Sequence, residues 1–320
     1  MTLLHLFNGD SLLDALSGKV KGTCMVWKEA LCQGPLSYKV SHGESLDLRE
    51  QYWVSQYGLE ARESFQEFRQ ILSWLVDQDY LSQFEEVVLW FGEDYFCQMN
   101  LLALLSTWHQ EGKQLRKISL VSAHFHPEVG HVTCLGNLSP EQLLGIFPDR
   151  KEIRNEDLEV ADILWQLLTA KDPRPLNHFK QSVPHDRFNW VKGIRLHGLL
   201  FPFLQSGLNA LEWRILGELA EGPLPFKQLI GTVLRKDVNF GLGDSQYVAI
   251  AQRLSPVLIQ ADGTGWDSIW ALTAKGTEVV AESLSLDRRE LPEGQVGGAS
   301  DHNFAWSEDE GKLVEREVLL

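Results

Sequence analysis

Short apolar runs and helix-spaced stretches alternate along the first third of the chain. LLHLF (3–7) reads as a strand, NGDS as a turn, and SLLDALSG as a short helix stopped by glycine. TCMVW (23–27) is a second strand, followed by a polar stretch with the turn-like QGP at 33–35. Over 59–78, Leu59, Phe65, Phe68, Ile71, Leu72 and Leu75 recur at helical spacing. EEVVLWF predicts a third strand, DYFCQMNLLALLSTWHQ a helix, and RKISLVSA a fourth strand. Strands separated by helices pair in parallel, with the helices covering the sheet. The predicted fold is α/β, a three-layer, mostly parallel, Rossmann-like sheet over residues 1–137.

Beyond residue 135 the pattern is mostly helical. SPEQLLGIF opens with a capping box from Ser139 to Gln142, and NEDLEVADILWQLLTAKDP is an amphipathic helix ended by Pro173. Residues 138–207 therefore read as a helical connector. Over 208–290 three helices precede two apolar runs around a D-G-T-G turn, the order of a winged-helix-like domain. An acidic, Gly-rich tail fills 291–320, with a strand pair expected around Phe304 to Trp306.

Composition narrows the partners. The 320 residues include 11 Trp and 15 Phe, enough for well-packed cores in more than one domain. A formal charge of −15 repels phosphate backbones. The 208–290 segment has eight Lys or Arg against eleven Asp or Glu, and its third helix has one Arg and no Lys. Both facts count against nucleic acid as a partner and favour protein contacts for the winged-helix-like domain. Cys24, Cys32, Cys97 and Cys134 form no CxxC pair, which fits reduced thiols. No basic leader and no apolar run of ~18 residues is present, so the expectation is a cytoplasmic protein without a membrane segment.

Candidate chemistry gathers where the predicted strands end, because open parallel sheets bind ligands beyond their carboxyl edge. The first strand delivers Asn8, Gly9, Asp10 and Ser11, the second Lys28 and Glu29, the third Glu93 and Asp94, the fourth His124 and His126. NGDS matches neither GxGxxG nor the P-loop pattern. It reads either as an anion-binding helix start or as a turn at Gly9 with Asp10 or Ser11 as cap. Asp94 reads as a helix cap, or as one arm of a site with Gln98 one turn on, holding a metal, a ribose hydroxyl or a base edge. His124 and His126 share a strand face and, with Asp10 or Asp94, suit a divalent metal; two histidines alone are ordinary polar residues. Carboxylates beside Cys97 argue against a thiolate nucleophile. Arg195 and His197 either reach a ligand phosphate or pair with an acid of the first domain.

The same positions carry a resemblance. HLFNGDS (5–11), WKEALCQGP (27–35), LWFGEDYFCQMNLL (89–102), LGNLSPEQL (135–143), FPDR (147–150) and IRLHGLLFPFLQSGLNALE (194–212) together resemble the bacterial family built on domain of unknown function 1835. The resemblance covers most of 5–212 and implies an α/β domain followed by a helical part. It brings no activity, but it puts weight on Asn8, Asp10, Glu29, Asp94, Gln98, Arg150, Arg195 and His197. Glu93 and Cys97 depart from the family pattern, which weakens any metal site that includes them.

These readings combine into one expectation: a polar, acidic site that binds a small phosphorylated or nucleotide-like ligand, with a divalent cation as an option and hydrolysis or transfer as the chemistry. Asp10, Glu29 and Asp94 would hold the cation or act as general base. Asn8, Gly9, Ser11 and Gln98 would place the ligand, with His197 nearby, and Arg150 or Arg195 would counter its charge. The alternative is a non-enzymatic adaptor whose winged helix makes protein contacts.

Overall fold

The computed structural model describes residues 2–122, 125–179, 188 and 190–316. Two compact units divide it: Met1–Thr169 with Val183–Gly193, and Ala170–Ser182 with Ile194–Leu320.

The first unit is mixed α/β. β1 (Leu3–Asn8), β2 (Thr23–Trp27), β3 (Glu86–Trp90) and β4 (Ile118–Val121) run parallel, and β7 (Lys151–Ile153) adds an antiparallel edge, in the order β2-β1-β3-β4-β7. A short hairpin, β5 (Phe125–His126) with β6 (Gly130–His131), lies outside that sheet. β7 and the helices α6 (Pro140–Ile146) and α7 (Asn155–Leu168) group with this unit rather than with a connector that begins at 138. The predicted capping box of α6 forms: Ser139 accepts from the Gln142 amide while the Gln142 side chain accepts from the Ser139 amide.

Strand alternation sends two apolar sets to opposite faces. Phe7, Val88, Trp90 and Val121 pack with Leu12 and Leu16 of α1 (Asp10–Leu16) and with Val132, Leu135, Leu138 and Leu143. On the other face Trp27 meets Phe68 edge-on at 5.0 Å, which seats α3 (Ala61–Leu75); α2 (Gly43–Tyr57) precedes it and α4 (Gln78–Leu81) follows. α5 (Tyr95–Gln110) is apolar nearly all round, and Cys97–Trp108 is buried without a break. A helix of that composition must be sheltered on every side. The polar residues it carries therefore have to find partners inside the protein.

Within the second unit, α8 (Trp190–Gly198) contributes its residues from Ile194 onward. α9 (Ala210–Ala220) is capped by an Asn209–Glu212 box. β8 (Leu224–Pro225), α10 (Phe226–Lys236), α11 (Asp244–Leu254), β9 (Ile259–Asp262) and β10 (Ile269–Leu272) follow, the three strands forming an antiparallel sheet β8-β10-β9. Next come α12 (Ala274–Val280) and two hairpins, β11 (Gln295–Val296) with β12 (Ala299–Ser300), and β13 (Phe304–Ser307) with β14 (Lys312–Glu315). The expected strand pair near Phe304 is the second of these. Arg288 is fully buried and joins the parts of this unit. It donates to Glu212 at the start of α9 (2.6 Å) and to Asp301 before β13 (2.6 and 3.2 Å). Among the described residues no helix is long and apolar enough to cross a membrane.

Candidate functional site

The carboxyl ends of β1, β2 and β3 meet the first half of α5, and polar groups from the ends of β1 and β2 form one buried network with it. Asn100 is its centre. Its amide nitrogen donates to Asn8 Oδ1 (2.9 Å) and to the Glu29 carbonyl (2.7 Å), and its oxygen accepts from the Leu31 amide (3.1 Å). Asn8 in turn donates to Cys97 Sγ at 3.0 Å. One side chain of α5 thus satisfies the ends of two neighbouring strands. Buried amides demand this kind of closure, since an unpaired one costs as much as a lost hydrogen bond.

Glu29 is buried and already engaged. Its Oε1 accepts from Arg49 Nη2 (2.6 Å), Trp53 Nε1 (2.7 Å) and the Ala30 amide (2.8 Å), and Arg49 also donates to the carbonyls of Ala30, Gln33 and Pro35. This ion pair ties α2 to the segment after β2. It corrects the assignment of Glu29 to a cation or to general base work, because removing its guanidinium partner would strand a buried charge. Asp10 is corrected too: its side chain is 64 % exposed and faces Lys28 at 3.6 Å, whereas Asp94 is buried. Ser11 is exposed, and Gly9 at φ 101° makes the turn into α1 without a side-chain cap from either neighbour.

Asp94 caps α5, its Oδ1 accepting from the Cys97 amide at 2.8 Å. The cap is held from outside the helix, because the Thr133 carbonyl accepts from the amides of both Glu93 (2.7 Å) and Asp94 (3.2 Å). Gly92 makes that approach feasible: a Cβ there would lie 2.6 Å from the Thr133 oxygen and 2.7 Å from Asp94 Oδ2. Gln98 is buried; its Nε2 donates to the Gly92 carbonyl at 3.0 Å, while its Oε1 is buried without a hydrogen-bond partner. Burial first, then the charge of Asp94, holds the Cys97 thiol well above its usual range, so it stays protonated. Sequence reasoning named only the charge.

Of the two arginines expected to counter a ligand, Arg150 is already paired. Arg150 grips Glu86, the first residue of β3, through Nε (2.8 Å) and Nη2 (2.9 Å), at the far end of that strand from Asp94. Burial alone would raise the Glu86 carboxyl, but hydrogen bonds from Arg150, Ser119 and Lys117 outweigh it and hold it at about 2. Arg195 is exposed and belongs to the second unit, as does His197. His197 is fully buried, and burial drops its pKa to about 3, so it is neutral in the core. His124 lies outside the described residues. His126 accepts from the Glu128 amide at 3.2 Å, the turn of its own hairpin. Among the described residues, no three His, Cys, Asp or Glu side chains are grouped to hold a metal ion.

Arg49, Trp53 and Asn100 were missed. The polar stretch that hides α2 carries no clear apolar period, and so Arg49 and Trp53 had no element to sit on. Asn100 did leave a signal, an amide inside the apolar run MNLLALL, where a polar residue must be buried and bonded.

No family model matches the chain, and no curated protein matches it. One solved structure similar to it is the crystal structure of the Plasmodium falciparum topoisomerase II DNA-binding, cleavage and re-ligation domain. That likeness has 11 % identity and a TM-score of 0.47, and covers 87 % of this chain and 48 % of the other. The chain spans about half the length of that structure, and likeness at this level fixes neither activity nor partner.

Two consequences can be measured. Asn100→Leu leaves Asn8 Oδ1, the Glu29 carbonyl and the Leu31 amide unpaired, so urea unfolding should show a loss of about 3 kcal/mol; a loss under ~1 kcal/mol would mean the network is not closed as described. Glu86, depressed from 4.5 to about 2, contributes stability that is present above its unfolded pKa and is lost as pH falls from 4.5 toward 2. Glu86→Gln should therefore be less stable at neutral pH and show a flatter acid limb than the wild type. Parallel acid limbs would contradict that assignment.

Proposed function

We propose that the first unit binds a small nucleotide-like ligand at the carboxyl edge of β1 and β3, with Gln98 meeting a hydroxyl or amino group of it. The Gln98 carbonyl oxygen carries this reading. The amide is oriented by its bond to the Gly92 carbonyl, which needs a donor, so the oxygen faces the other way, buried and without a hydrogen-bond partner. A buried acceptor calls for a donor. A ribose hydroxyl or a base amino group can donate, and a phosphate oxygen cannot, so the sugar or base fits this point better than the phosphates do.

If turnover accompanies binding, Asp94 is the general base, because Glu29 is held by Arg49 and Asp10 lies at the surface. A divalent cation would then rely on the ligand's own oxygens. We read the sheet as Rossmann-like and the chain as a member of the family of domain of unknown function 1835. Support comes from the marked residues Asn8, Glu29, Asp94 and Gln98, each of which is buried and bonded inside the protein where β1, β2 and β3 end.

A second reading concerns the other unit. The order α9, β8, α10, α11, β9, β10 reads as a winged-helix-like module, and Trp266 and Ile269 by the β9–β10 turn are 48 % and 40 % exposed. Apolar side chains there and an acidic composition favour a protein surface as its partner.

Thermal unfolding against nucleosides, nucleotides and divalent metals tests the first reading. A ligand at 100 times its Kd adds about 2.7 kcal/mol, a shift of a few degrees at this size. That shift should appear with the wild type and vanish in Gln98→Met. No shift with any of these ligands would leave a water as the Gln98 partner and overturn the ligand reading.

A further inference from the structure

The second unit has buried side-chain nitrogens of its own that lack a hydrogen-bond partner. A cleft of about 900 Å3 opens beside the β13–β14 hairpin, lined among others by Arg288, Arg289, His302, Asn303 and Arg316. Arg316 follows β14, and its amide donates to the Asn303 carbonyl at 2.8 Å, which places it across the hairpin end from His302. Arg316 Nη1 and His302 Nε2 are both buried without a hydrogen-bond partner.

The nearby carboxylates each have a partner, Glu293 accepting from Ser300 Oγ at 2.6 Å. Asp301 takes Arg288 and Arg253 on one oxygen and the Gly294 amide on the other. Asp287 accepts from the Arg289 amide and guanidinium. Farther along the cleft, Glu315 pairs with Arg174 at 2.8 Å and Glu310 with Lys312 at 2.5 Å. Arg316 thus shares the fields of Asp287 and Asp301 with Arg288 and Arg289 and, among the described residues, forms no ion pair of its own. Burial, reinforced by repulsion from Arg288, lowers its pKa. A buried guanidinium nitrogen lacking an acceptor is costly, and a planar oxyanion is the partner its geometry fits. His302, which lines the same cleft, can donate from Nε2 in the tautomer that carries its proton there.

We propose that this cleft is an oxyanion site, in which Arg316 and His302 bind a carboxylate or phosphate group carried by a small molecule. The cleft is of the size that holds a small ligand, not only a free ion. The site is independent of Gln98 and of the ligand proposed for the first unit.

The test is a titration of the full chain with inorganic phosphate and with acetate, at constant ionic strength made up with chloride. The NMR signals of the Arg316 Nε–H and the His302 ring are followed. Both signals should move together along one saturable curve with at least one of the two anions. Saturation by phosphate alone assigns a phosphate-bearing ligand, and saturation by acetate assigns a carboxylate. Arg316→Met should weaken binding about tenfold or more, and Gln98→Met should leave it unchanged. His302→Gln, which keeps the guanidinium, should weaken it by less and serves if Arg316→Met does not fold. The proposal is overturned if neither anion gives a saturable change, or if a folded Arg316→Met binds as the wild type does.

Discussion

The first unit depends on how a buried helix disposes of its polar groups. α5 is enclosed almost from end to end, so Asn100, Gln98 and Asp94 cannot turn to water. Asn100 resolves this by bonding the ends of two strands at once, which fixes where β1 and β2 stop relative to the helix. Asp94 resolves it by capping its own helix, under a carbonyl from the 133 segment. Gln98 resolves only half of it. The same requirement that positions the fold leaves the Gln98 acceptor open, and that acceptor is the reason to expect a ligand.

A similar logic governs the charges. Glu29 with Arg49 lies past the carboxyl end of β2 and Glu86 with Arg150 at the amino end of β3, on either side of β1, and each carboxylate is buried against a fork of guanidinium donors. Such pairs are expensive to desolvate and more expensive to break, so they act as fixed joints between a strand end and a neighbouring segment. His5 shows the same use of a motif residue. It is buried between the Trp90 indole, which donates to its Nδ1, and the Lys21 carbonyl, and burial keeps it neutral. Several residues that look chemical in the sequence are joints of the core.

The strands, their parallel direction and the caps at Asp94 and Ser139 were legible because each rests on local signals: apolar runs, helix-start residues and a capping box; the order of the strands was not. What was not legible depends on contacts far apart in sequence. Glu29 and Arg49 are separated by a segment with no readable period, and Glu86 and Arg150 by two helices and several strands. Residue type alone cannot tell a carboxylate that awaits a cation from one that already has an arginine. β7 escaped because KEI is three residues long, too short for alternation to show. The candidate site was legible as a place, the edge after β1 and β3, more than as a set of residues.

Asn8 and Asn100 are closed joints, while Gln98 is open. Side-chain amide NMR of the free protein, and of the protein with a nucleoside that binds, separates the two directly. Asn100 amide protons should exchange slowly with solvent and stay put on binding, while the Gln98 signal moves. Asn100 protons that exchange as fast as an exposed amide, or a Gln98 signal indifferent to a bound nucleoside, would contradict this.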